Sequence, residues 1–184
     1  MLRRPRGTTH LFIGLLMLVV MSTAAAAQEA RSVALAKELT TLLDAAKLTA
    51  IAARDSSDPE AFVAAMYFSG SQLLIVSAKY TPAVLMNQKL EKKDFQEVYI
   101  DLNSASIAST RVFIEDLGAD GLKAEHDEGT VFDSIDRGGK RTLFDANWRK
   151  EQKISEEQYA KLFADADALY SRLLQALINQ AKRQ

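Results

Sequence analysis

From Tyr159 to Ile178 the chain repeats apolar side chains at one spacing: Tyr159, Leu162, Phe163, Ala166, Leu169, Tyr170, Leu173, Leu174, Leu177 and Ile178. Steps of mostly three and one place them all on one side of an α-helix. Ser155, followed three positions later by Gln158, forms a capping box and sets where that helix begins. A long helix with one apolar side must lie on something. Two partners stand open: the domain's own sheet alone, or that sheet together with a second copy or another protein.

The opposite end has a different character. Arg3, Arg4 and Arg6 precede an apolar run from Leu11 to Met21, and a tract of small residues ends at Ala25-Ala26-Ala27. This is the pattern of a secretory signal peptide, residues 1–27, with cleavage before Gln28. Its apolar run has about half the length that a bilayer-spanning helix needs. A periplasmic or secreted destination is therefore expected, with no membrane attachment after cleavage. Residues 28–184 suit a single domain large enough to bury a core. Three of the 23 basic residues lie in the leader, leaving 20 against 24 acidic ones, a balance that argues against a nucleic-acid partner. The chain has no cysteine, which excludes disulfides, thiolate metal sites and a cysteine nucleophile.

Between these ends the periodicities alternate. Val33, Ala36, Leu39, Leu43 and Ala46, widened by Leu35 and Leu42, predict a helix from Ser32 to about Lys47. Strand-like runs follow at 48–53, 61–68 and 72–78, separated by Asp55-Ser56-Ser57-Asp58-Pro59 and by Ser69-Gly70-Ser71, which read as hairpin turns. Thr81-Pro82 supplies an N-cap and a first-turn proline for a short helix to about Lys92. Strand patterns return at 97–102, 111–116, 131–135 and 140–144, the last two flanking Asp136-Arg137-Gly138-Gly139. The fold class is α+β: a mostly antiparallel sheet with an N-terminal helix, a short helix after the third strand and a long C-terminal helix.

The order helix, three antiparallel strands, short helix and further strands, with LTAIAARD leading into AFVAAMYF, QLLIVSAKY, TPAVLMNQKL and EVYIDL, resembles the split barrel of the pyridoxamine 5′-phosphate oxidase-like superfamily. The resemblance spans about Val33 to Leu122. It implies a small split β-barrel, usually a homodimer with ligand near the subunit interface; that ligand is FMN in many members, haem or another cofactor in some, and none in others. A helix N-terminus offers free N–H groups and a positive dipole end to a phosphate. Ser77, Lys79 and Thr81 are the residues placed to hold one. A flavin-dependent oxidoreductase is the function the resemblance implies. The strand 61–68 carries no arginine or lysine, however, and Lys79-Tyr80-Thr81-Pro82-Ala83 stands where a Ser-Arg-Lys-like run is expected. A cofactor-free periplasmic ligand-binding or protein-interaction module is the alternative.

Other groupings carry chemistry on paper. Asp116, Asp120, Gly121 and Asp127 have part of the spacing of a calcium loop, but Gly118 holds the third position, Asp127 the twelfth, and a strand precedes it. The expected arrangement is a tight turn allowed by Gly118 and Gly121, with solvated acids. His126 is the sole histidine outside the leader, so it has no second histidine to complete a usual zinc set and reads as a surface residue. Gly70-Ser71 lacks the G-x-S-x-G pattern of a serine hydrolase. Glu97, Asp101 and Glu115 would form a carboxylate pair if their strands were neighbours, although alternation makes theirs the wet face. Trp148 either covers one end of the core or lines a pocket.

Overall fold

The computed structural model describes residues 30–55, 57, 62–78, 112–124 and 132–184. It begins with α1, Arg31–Ala46, followed by three strands, β1 Ala50–Arg54, β2 Phe62–Tyr67 and β3 Gln72–Ala78. Then come β4 Val112–Leu117, β5 Ser134–Arg137, β6 Lys140–Leu143, a short helix α2 at Ala146–Glu151 and the long helix α3 at Glu156–Ala181. The six strands form one antiparallel sheet in sequence order, from β1 at one edge to β6 at the other. The protein is thus α+β with an N-terminal and a long C-terminal helix. The sheet is open, so the barrel closure that the resemblance implies is not seen among the described residues. The expected helix after Thr81 and the strand at 97–102 lie outside them.

The expected β3 coincides with the observed strand, and β1, β2 and β4 differ from expectation by one or two residues at an end. The last hairpin needs a larger correction. Asp136 and Arg137, expected in the turn, extend β5, and Arg137 pairs with Lys140 across Gly138-Gly139 alone. Both glycines have positive φ, 62° and 87°, as a two-residue hairpin turn matching the twist of the strands requires.

Alternation divides the sheet into two unlike faces. On one, Ile51, Ala53, Val63, Ala65, Tyr67, Leu73, Ile75, Ile114 and Ile135 pack with α1 and α3 into the main core. The apolar stripe of α3 is consumed here: Ala166, Tyr170, Leu173, Leu174, Leu177 and Ile178 are buried, and Leu162 is the one exposed large apolar side chain among the described residues. Phe144 closes one end, edge-on to Phe163 and Tyr159 at ring-centroid distances of 5.2 and 6.4 Å. Trp148 packs on the same cluster, so it serves as cover. Among the described residues no helix is long and apolar enough to cross a membrane.

The capping box of α3 forms as expected: Ser155 Oγ accepts from Gln158 N–H, and Gln158 Oε1 accepts from Ser155 N–H. The start of α1 is managed differently. Ala30 offers no side-chain cap, and Asp167 of α3 instead accepts from the N–H groups of Arg31 and Ser32, both at 3.0 Å. A carboxylate there also faces the positive end of the helix dipole. The buried side of α1 is correspondingly rotated from expectation, with Ser32 and Thr40 inside and Ala46 exposed.

Candidate functional site

The most concentrated chemistry among the described residues lies where β4 ends. Asp116 alternates with Ile114 and so points to the helix side, while its neighbour Glu115 points to the other. Asp133, just before β5, lies beside this turn. Asp116, Asp133 and the ring of Tyr170 from α3 are wholly buried, each 0 % exposed.

Backbone amides of the loop 117–124 turn in toward these carboxylates. Asp116 Oδ1 accepts from Asp120 N–H at 3.1 Å, and Oδ2 accepts from Gly121 N–H at 2.9 Å and from the Tyr170 hydroxyl at 2.7 Å. Asp133 accepts from Leu117 N–H and Lys123 N–H, both at 2.8 Å. Two further bonds tie the loop to the helices: Ser32 Oγ accepts from Leu122 N–H at 3.0 Å, and Tyr159 donates to the Ala124 carbonyl at 2.5 Å. Gly118, Ala119 and Gly121 take positive φ, and the bend at Gly121 brings its backbone against Val33 of α1. The glycine turn is therefore as expected, but the solvated acids are not. Asp120 is partly exposed and pairs with Lys123, whereas Asp116 is in the core.

Burial governs the electrostatics. It pushes the carboxyl of Asp133 up to about 7, with the nearby Asp116 charge adding to the rise against the lowering effect of the two backbone N–H donors. Asp116 is also raised by burial, in spite of the bonds from Tyr170, Gly121 and Asp120. Tyr170 is pushed well above the ordinary phenol range by its burial and by the acids around it, so it remains a donor. Of the acids with calcium-like spacing, Asp116 has both oxygens bonded by internal donors. Among the described residues no group of three or more His, Asp or Glu side chains is arranged to hold a metal ion. Asp127 and His126 lie outside them.

The other sequence-predicted positions lie in different elements or outside the described residues. Ser77 sits in β3 between Val63 and Val112, buried on the helix side of the sheet. Lys79 and Thr81 lie outside the described residues, as do Glu97 and Asp101. Glu115 bonds Arg141 and Ser134 across β4, β5 and β6. Ser71 occupies the β2–β3 turn, where its hydroxyl donates to the Phe68 carbonyl. Sequence reading missed Asp133, Asp167 and the partner of Tyr170. The Tyr170 hydroxyl within an otherwise apolar stripe was the available clue, since a buried phenol requires an acceptor.

The second face of the sheet is built from small residues. Ala50, Ala64, Val76 and Ala78 are buried there, with Ala52, Met66 and Phe113 packed against them. The strand register aligns Ala52, Ala64, Val76 and Phe113 in one row across β1 to β4. The same row continues onto Asp136 and Arg141 at the polar end of the sheet. No family model matches the chain, and no curated protein or solved structure matches it either.

Proposed function

We propose that this chain is an exported binding protein on the split-barrel plan, whose ligand lies against the alanine-rich face of the sheet, with FMN as the first ligand to test. The supporting observation is the row Ala52, Ala64, Val76, Phe113 with Ala50 and Ala78 beside it. Alanine and valine keep the floor close to the backbone plane, which suits a flat ring system at van der Waals distance. Ala50, Ala64, Val76 and Ala78 are already buried by the chain itself, so a ligand reaches this floor only by displacing what covers it. Lys79 and Thr81, just past the end of β3, would hold the phosphate, and the flavin would supply the redox chemistry of an oxidoreductase. Ser77, on the opposite side of β3, has no part in this floor. A homodimer belongs to the same proposal.

A cofactor-free periplasmic ligand-binding or interaction module is the second reading. It is favoured by the absence of lysine and arginine from β2 and by Arg141, whose guanidinium is engaged by Glu115 and Ser134. The deciding experiment is an absorption spectrum of purified residues 28–184, then an FMN titration followed by flavin fluorescence with haemin in parallel. Saturable binding near one flavin per chain supports the first reading; binding of neither cofactor overturns it in favour of the second. If FMN binds, Lys79→Ala should weaken it more than riboflavin, and equal losses would remove Lys79 from the phosphate.

A further inference from the structure

We propose that the loop 117–124 is a proton-operated latch: Asp116 and Asp133 grip its backbone from two sides, and one proton on that pair sets how firmly the loop and the first turn of α1 are held. The inference is independent of the ligand. It stands first on geometry. The amides of Leu117, Asp120, Gly121 and Lys123 are all held by these two carboxylates, and Leu122 passes the connection to Ser32 in α1. Whatever changes the charge on the pair acts on the whole loop at once.

Among the described residues, the loop and both helices place charged and polar groups around the pair. The loop contributes Asp120 and Lys123, joined to each other at 2.5 Å with both side chains about half exposed. α3 contributes the Tyr170 phenol and, nearer the start of α1, Asp167. α1 presents the hydroxyl of Ser32. Two buried negative charges side by side repel, and one proton relieves that repulsion. The Tyr170 hydroxyl and the N–H groups of Asp120 and Gly121 all donate to Asp116, which favours the charge there. The proton therefore resides on Asp133, whose carboxyl is raised to about 7. Below that pH the latch is closed. Above it both acids are charged and the loop loosens.

The test is amide hydrogen exchange on the intact chain at pH 6 and pH 8, corrected for the intrinsic pH dependence of exchange. Protection of Asp120, Gly121, Leu122 and Lys123, relative to Ala65 and Ile75 in the sheet, should fall about tenfold over this range. In Asp133→Asn the relative protection should not change with pH. Equal protection at both pH values in the native chain, or an undiminished fall in Asp133→Asn, overturns the latch. Should the variant fail to fold, the carbon-13 carboxyl shift of Asp133 in the native chain decides: a midpoint near 7 upholds the proposal, and one near the ordinary value of about 4 overturns it.

Discussion

Asp55 and Asp133 are two buried acids at strand ends that accept bonds from nearby backbone N–H groups, yet their carboxyls move in opposite directions. Asp55, 3 % exposed at the end of β1, accepts from the N–H and hydroxyl of Ser57 at 2.9 Å each and from the guanidinium of Arg172 on α3. Burial raises it, but Ser57 and Arg172 outweigh burial and hold it below the usual carboxylate range. At Asp133 burial and the nearby Asp116 charge both raise the carboxyl, and it rises. Burial alone therefore does not decide the state of an acid in this core. The balance of partners does: two bonds from Ser57 and then Arg172 outweigh burial at Asp55, whereas at Asp133 the Asp116 charge adds to burial against two backbone donors.

The two sites can be separated by substitution. The largest effect should come from Gly121→Ala on the Asp133 side. An added Cβ would lie 2.4 Å from Val33 Cα, on a residue with φ of +94°, so the loop and α1 cannot both keep their places. A loss on the order of 4 kcal/mol or more in urea unfolding is expected, and a tolerated alanine would show that the loop is not packed on α1. Arg172→Met comes next, at about 2 kcal/mol; a buried pair usually costs more to break, but this arginine is partly exposed and screened. It should also raise the Asp55 carboxyl, against the two bonds from Ser57 that remain. Tyr170→Phe removes the hydroxyl from Asp116 and should cost about 1–2 kcal/mol, measured by the same unfolding curve.

The Asp133 comparison is read across pH rather than at a single pH. A carboxyl raised in the folded state binds a proton on folding, so its contribution favours the folded state at low pH. That contribution is lost as pH rises from about 4 to about 7, the folded-state value of Asp133. Asp55 has the opposite sign: its contribution is present above the ordinary carboxylate range and is lost as acid protonates it below that range. Urea midpoints measured from pH 4 to pH 8 should therefore fall with rising pH in the native chain and fall less in Asp133→Asn. Parallel curves would mean that Asp133 is an ordinary carboxylate.

Much of the fold was legible locally because local rules decide it. The period of α3, the capping of Ser155 by Gln158, the strand β3 and the Gly138-Gly139 turn depend on residues a few positions apart, and each stands where its pattern indicates. The alternation of Glu115 and Asp116 was equally readable, but which of the two faces the core was not. Every residue of β4 has a neighbour of opposite orientation, and only the packing of α3 assigns the inside to Asp116.

The sequence by itself determined the types of α1, α3 and the six described strands but not the short helix α2, together with the leader-like N-terminal pattern, the absence of cysteine chemistry and the glycine turn after β4. Tertiary structure alone decided that the sheet of the described residues is open, that Asp167 caps α1, that Arg172 reaches Asp55, and that Tyr170 meets Asp116. The physical reason is range: hydrophobic period and turn chemistry act between near neighbours, whereas Tyr170 reaches Asp116 from 54 positions away and Arg172 reaches Asp55 from 117.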